Sequence, residues 1–434
     1  MKVQLIILST FLLLAAACKQ EKIKELALNV ESASPVIENT SLPGADILAF
    51  GPDNILFVGD SKNARIHAIE TEAIELKDAV PYNLEGIDNM LSEKLGIELR
   101  DVVINDMKIH PVSQEAYISI KKGHSPDAES MIAIVSPTTS EIRFVEMKEA
   151  NTKTVTITNP ASADLKFWNE TPASSLTITD IDYSDDSIFV SGLTNGEFAS
   201  NIRKIAYPFD QSKNEVNSIE IYHAVHTQME TRAPIRTMLI DELDGTPTII
   251  ASYTCTPLVT IPTSEIKENA NVKGKTIAEL GYGNTPIDMI IVQEQGMDGS
   301  VSKSLLVTHK NRGGSLIPFN SIVEGAEGKG MAGMQAMDAT GLDGIRAIPT
   351  ANVMQIDVQN QMFLTMVRRN IESGEIDLIS EITGSYLRLS DFISEYDFPD
   401  YRYSEAQQPT KQYHDMAKQM EGYPELTSEA MSRN

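Results

Sequence analysis

Asp106-Met-Lys-Ile-His110, Pro111-Val-Ser-Gln-Glu115 and Ala116-Tyr-Ile-Ser-Ile120 follow one another without interruption. The first and third segments are short and apolar, and the middle one carries Pro and polar side chains. That pattern predicts two strands joined by a turn. Asp106 opens the first strand, and nothing in the segment repeats at the 3.6-residue period of a helix.

The same phrase recurs along the chain. Asp46-Ile-Leu-Ala-Phe50 turns through Gly51-Pro-Asp-Asn54 into Ile55-Leu-Phe-Val58. Asp180-Ile-Asp-Tyr183 turns through Ser184-Asp-Asp186 into Ser187-Ile-Phe-Val190. Arg236-Thr-Met-Leu-Ile240 with Thr248-Ile-Ile-Ala251 is a copy that lacks the acid. Asp288-Met-Ile-Ile-Val292 pairs with Ser304-Leu-Leu-Val307. Asn352-Val-Met-Gln-Ile356, a turn from Asp357 to Gln361, and Met362-Phe-Leu-Thr-Met366 complete the series. Successive opening acids stand 60, 74 and 108 residues apart, the last interval being two units of 54. Units of paired strands at such a period predict the blades of a β-propeller, whose repeats need about 40–50 residues each.

The fold expected is therefore all-β, a propeller of six or seven blades over residues 45–390 with loop insertions. A seventh blade has room near residues 130–160, where Ile132-Ala-Ile-Val135 and Ile142-Arg-Phe-Val145 serve equally well as outer strands of the second blade. A pair of β-sandwiches is the alternative, but it leaves the recurring opening phrase unexplained. One short inserted helix is legible: residues 84, 87, 90, 91 and 95 form an apolar stripe that Gly96 ends. Glu381 to Leu389 continues as strand, and Gly325 to Gly333 reads as a flexible loop. Residues 391–434 are polar without apolar periodicity and form an irregular tail.

The N-terminus carries a separate message. Lys2 precedes the apolar run Leu5–Leu14, then Ala15-Ala-Ala17 and Cys18, and the chain turns polar at Lys19-Gln-Glu-Lys22. Residues 1–17 have the form of a secretory signal peptide. The run is shorter than the roughly 20 residues that span a bilayer. Together with Cys18 it resembles the lipobox of bacterial lipoproteins. That resemblance implies acylation of Cys18, a membrane partner through the lipid, and a place in the cell envelope, the outer membrane preferred over the inner. Residues 18–44 would be a tether, with Glu25-Leu-Ala-Leu-Asn-Val30 as a strand able to close the ring. With the blade phrases, the chain resembles bacterial secreted propellers of the broad YncE-like and lactonase-like kind. The resemblance covers residues 45–390, is one of architecture, and brings no activity with it.

A net charge of −25 over 434 residues argues against nucleic acid as a partner and favours cations. Only Cys18 and Cys255 are present, so there is no disulfide framework. Cys255, after the strand-like Thr248-Ile-Ile250, reads as a small buried hydrophobe. The chain lacks G-x-S-x-G, a P-loop, C-x-x-C and C-x-x-C-H. That argues against a serine α/β-hydrolase, an NTPase and a c-type cytochrome.

Two clusters carry candidate chemistry. Asp46, Asp106, Asp180 and Asp288 open blades at one mouth of the channel. They are either oxygen ligands of a divalent metal such as Ca²⁺ or acceptors for turn backbone. The stretch Ile221 to Arg236 holds His223, His226, Glu230 and Arg232. The two histidines chelate one metal only if the backbone turns between them, because residues three apart on a strand face opposite ways. Glu230 would be a third ligand or a base, and Arg232 a clamp for a carboxylate or phosphate. The plainer role of this stretch is an inter-blade loop. Two functions follow: a module binding a small molecule or an envelope protein, or a divalent-metal-dependent, lactonase-like hydrolase at the channel mouth.

Overall fold

The computed structural model describes residues 42 and 44–387, apart from 73, 126, 147–150, 168–169, 210–213, 268, 282–283, 296–298, 311–312, 334–338, 349, 351 and 372. The expected signal peptide over residues 1–17, Cys18, nearly all of the expected tether with its strand near Leu26, and the expected tail from 391 lie outside the described residues.

The chain begins with β1 (Ile47–Phe50), β2 (Ile55–Asp60) and β3 (Arg65–Glu70), three strands of a first blade. The short β4 (Asn83–Leu84) and helix α1 (Ile87–Leu95) follow. A second blade holds β5 (Val102–Ile109), β6 (Ala116–Lys122), β7 (Ser130–Val135) and β8 (Ile142–Phe144). Then β9 (Thr152–Thr156) returns to pair with β3 and completes the first blade. The third blade is β10 (Asp180–Ser184), β11 (Ser187–Leu193), β12 (Ser200–Ala206) and β13 (Asn214–His223), with β14 (Gln228–Glu230) folded back on β13. The fourth is β15 (Ile235–Leu243), β16 (Thr246–Tyr253), β17 (Pro257–Pro262) and β18 (Asn271–Leu280). The fifth is β19 (Pro286–Gln295), β20 (Val301–His309), β21 (Gly314–Pro318) and, past helix α2 (Phe319–Glu327) and the short β22 (Ala339–Thr340), β23 (Arg346–Ile348). The sixth is β24 (Val353–Val358), β25 (Phe363–Arg369), β26 (Ile376–Ile382) and β4, ahead of the one-turn helix α3 (Thr383–Tyr386).

The chain is thus an all-β propeller, with six blades among the described residues. The strands near residues 130–145 are outer strands of the second blade, not a seventh. Within each blade the strands alternate direction, which lets the innermost edge strand face the channel. The order of blades in the ring is not the order in the chain. The inner strand β1 lies between β5 and β10, and β5 lies between β24 and β1. Six apolar clusters fill the six seams in the same order. Phe57 and Ile66 of the first blade pack on Ile181 and Val190 of the third, and Leu48 and Leu56 pack on Tyr117 and Ile132 of the second. Met107 and Ile118 of the second blade meet Val367 and Leu378 of the sixth. Closure is made by β4, whose Leu84 and Asn83 pair with Leu378 and Ile379.

The inserted helix expected from the 84–95 stripe is α1. Its Ile87, Leu91 and Leu95 are buried in the seam between second and sixth blades, and Gly96 ends it in the left-handed region at φ 64°. Two corrections concern helices. A second one, α2, replaces the first part of the supposed flexible loop at Gly325, because Phe319, Ile322, Val323 and Ala326 recur at helical spacing and pack on the seam of blades four and five. The strand expected over Glu381 to Leu389 stops at Ile382, where α3 turns Tyr386 and Leu387 into the fifth–sixth seam. Asp357, read as the start of a turn, lies inside β24, and Asp106, read as the opening residue of its strand, stands inside β5, which already begins at Val102.

Candidate functional site

Inner strands of neighbouring blades stand too far apart for a backbone ladder, so the edge N–H groups along the channel need other acceptors. Aspartates supply them. Asp106 Oδ2 on β5 accepts Leu48 N–H of β1 at 2.7 Å. Asp180 and Asp182 on β10 accept Met238 and Ile240 N–H of β15 at 2.7 and 2.6 Å. Asp288 on β19 accepts Ile356 N–H of β24 at 3.0 Å, and Asp357 on β24 accepts Ile109 N–H of β5 at 2.7 Å. Each also takes the N–H of its own next residue through Oδ1. Among the described residues, four of the six seams are bridged this way, always from one strand to the next in the same sense around the ring. Asp46 differs: it accepts Ser61 N–H at 3.0 Å and pairs with Lys121 at 2.5 Å.

Lys108 sits among these acids. Its Nζ lies 3.6 Å from Asp288 Oδ1, and burial of the ammonium is outweighed by Asp288, Asp106, Asp357 and Asp180, which hold it firmly charged. Burial pushes Asp106 up to about 8, against the pull of Lys108, with Asp288 adding repulsion. Asp180 rises to about 7 and Asp182 to about 6, again chiefly through burial.

Four inner strands carry an irregular register in their first half, leaving an extra residue at Asn105, Arg236, Ile287 and Met354. A bulge re-aims the side chain it carries. Asn105, Arg236 and Ile287 accordingly line a cavity of about 590 Å³ at the channel mouth, with Asp46, Asp106, Asp180 and Asp288. Volumes of about 300–1,000 Å³ suit small-molecule ligands. Arg236 is the notable donor there. Its Nε is buried with no hydrogen-bond partner among the described residues. Burial lowers its pKa from the usual guanidinium value, with Asp180 working in the opposite direction. Lys62 and Lys121 at the same mouth already pair with Asp127 and Asp46.

The second cluster lies on the same face, because the first strand of a blade starts, and its fourth ends, at one mouth. His223 is the last residue of β13, and the turn Ala224–Thr227 reverses the chain into β14. The reversal brings His226 back over His223, ring centroids 3.8 Å apart. Glu230 Oε1 lies 2.6 Å from His226 Nδ1 and 3.1 Å from His223 Nδ1. Blade four contributes the rest through the parallel pairing of β13 with β18. Glu279 Oε2 lies 3.7 Å from His223 Nε2, accepts the hydroxyl of Thr256, and its other oxygen holds Ala224 N–H at 2.8 Å. Cys255 is half-buried, with φ 82°. Burial acts to lower the His223 pKa, but the Cys255 hydrogen bond and the Glu230 and Glu279 charges outweigh it and raise the ring to about 10. Glu230, despite burial, is drawn down to about 2 by the two histidines.

The expected His223, His226 and Glu230 are therefore brought together. Arg232 is not with them: it is exposed, and its Nε donates to Glu197 O at 3.0 Å. Sequence reasoning passed over Lys108 and Glu279 and gave Arg236 no role of its own; Cys255, read as a small buried hydrophobe, is instead half-buried beside the two histidines. Lys108 was readable two positions after Asp106 on the same strand face, whereas a bulge at Arg236 leaves no sequence mark.

No protein-family profile matches the chain, and no curated protein matches it. Among solved structures, a glucose dehydrogenase is 8% identical, with 79% of this chain and 97% of that one covered and a TM-score of 0.34. Virginiamycin B lyase from Staphylococcus aureus is 11% identical over 78% of this chain and 96% of the other, TM-score 0.25. Apo AztD from Citrobacter koseri is 10% identical over 79% and 84%, TM-score 0.27. Likeness at this level carries no argument, and the propeller rests on the strand pairing itself.

Proposed function

We propose that this propeller is a ligand-binding module, held at the cell envelope by an acylated Cys18, whose site is the cavity at the channel mouth. The observation that carries the reading is Arg236: a bulge aims its guanidinium at a cavity of about 590 Å³, with Nε lacking a partner. A buried donor without an acceptor costs about 1–3 kcal/mol, and a ligand oxyanion would remove that cost. Arginine suits carboxylate and phosphate through paired N–H donors. The hydroxyls of Ser61, Thr171, Ser174 and Ser175 around it suit a polar, oxygen-rich remainder.

The metal-dependent hydrolase gains less support. Asp106, Asp180 and Asp288 already serve neighbouring N–H groups, and Lys108 supplies positive charge where a divalent ion would. Succinate, glucuronate and glycerol phosphate, each at millimolar concentration, test the binding reading by thermal shift. At least one should raise Tm of the wild type and leave Arg236→Ala unmoved. No shift with any of the three, or an equal shift in Arg236→Ala, would overturn the assignment of the site.

A further inference from the structure

We propose that His223, His226 and Cys255 form a binding site for a thiophilic divalent metal, Zn²⁺, at the rim where the third and fourth blades join. One ligand atom from each lies within 4.8 Å of the others. None of the three lines the channel-mouth cavity, so this site is independent of the ligand-binding reading.

The donor set selects the metal. Two imidazoles and a thiolate are the N and S ligands that zinc takes, whereas Ca²⁺ and Mg²⁺ require oxygen. Zinc bonds of about 2.0–2.3 Å place tetrahedral ligand atoms about 3.3–3.8 Å apart. The widest pair must therefore close by about 1 Å, and His226, exposed on a four-residue turn, is free to supply that movement. Glu230 Oε1, next to both Nδ1 atoms, is placed to be the fourth ligand or to orient the rings.

Two further observations point the same way. His223 is fully buried, and its Nδ1 faces the Glu230 carboxylate at 3.1 Å, the kind of carboxylate–histidine contact that orients a metal-ligating ring. Cys255 holds φ 82°, a conformation unfavourable to any side chain bearing a Cβ, and such strain gathers at functional sites. The neighbouring contacts make the site rigid on its inner side: Glu279 ties Thr256 of the Cys255 loop to Ala224 of the histidine turn.

Co²⁺ titrated into the full-length chain in detergent is the test, because a thiolate ligand gives cobalt a charge-transfer band in the near ultraviolet. One equivalent should produce the band, and Zn²⁺ should displace it. Cys255→Ser should abolish it, and Cys18→Ser should leave it intact. His226→Gln, a change on the exposed turn, should weaken binding at least tenfold with far-ultraviolet circular dichroism unchanged, and Glu230→Gln by about 10–100-fold. No band with wild type, a band that survives Cys255→Ser, or unchanged affinity in His226→Gln would overturn the site.

Discussion

The carboxylate of Asp357 accepts the backbone N–H of Ile109 at 2.7 Å across 248 residues of sequence. It joins the last blade to the second and so closes the inner ring. Its partner oxygen holds Val358 N–H, so the side chain is oriented before it reaches across the seam. Asp357→Ala leaves Ile109 N–H without an acceptor and should destabilise by about 1–3 kcal/mol. Asp357→Asn keeps one acceptor oxygen and should lose less. Urea midpoints of the two variants decide it, and equal losses would mean the bridge is not what the aspartate contributes.

Stability should fall as pH rises from about 4 to 8. Asp106, Asp180 and Asp182 hold their protons up to about 8, 7 and 6 in the fold, against 3.8 in the unfolded chain. The folded state binds these protons more tightly, so their contribution is complete below about pH 4 and is lost as pH climbs through the folded values. Unfolding free energies at pH 4.5, 6 and 8 should decrease in that order, and Asp106→Asn should flatten the slope. A rising profile would refute the burial account of these acids.

Lys108→Met takes the cation away from Asp106, Asp180, Asp288 and Asp357 while keeping the chain's bulk. Breaking a buried pair by removing one partner costs about 3–5 kcal/mol. The loss should be larger at pH 8, where Asp180 is ionised and Asp106 partly so, than at pH 5, where both hold their protons. A pH-independent loss would assign Lys108 to packing alone.

Arg203 is fully buried and pairs with no carboxylate among the described residues. Its guanidinium donates instead to Asn201 Oδ1 at 2.7 Å and to the carbonyls of Thr177, Thr158, Asn159 and Leu193 at 3.3–3.4 Å. Burial alone lowers its pKa to about 9. The fork of donors gathers three loop segments, a geometry that a point-charge ammonium does not reproduce. Arg203→Lys should therefore lose most of what Arg203→Met loses, about 3 kcal/mol or more in thermal or urea unfolding. Full rescue by lysine would show that charge, not geometry, is what the site requires.

Strand pairs were legible because their signals are local: alternating apolar residues, a polar turn, and an acid at the strand entrance. The same locality made His223, His226 and Glu230 legible as a group, since eight consecutive residues contain them. What could not be read is long-range. Cys255 and Glu279 reach His223 only because β13 and β18 run parallel across two blades, and a lone thiol on a strand-like run otherwise reads as core. The position of the first blade between the second and third depends on six seams of similar apolar composition, which no single segment specifies. Asp106 and Asp288 were recognised as mouth residues, but their backbone partners lie on other blades, so acceptor and metal ligand look alike in sequence.

The split construction of two blades has a consequence for how the chain is made. As the chain emerges N-terminus first, β1 to β3 must wait for β9 until the whole second blade has been made. The two residues of β4 wait far longer, until β26 arrives nearly three hundred residues later. At about 5–20 residues per second that delay is on the order of tens of seconds. Throughout it the ring is an open arc with apolar flanks, vulnerable to pairing with a second chain. The brevity of β4, paired through Asn83 and Leu84 alone, keeps that waiting edge too short to recruit a stranger.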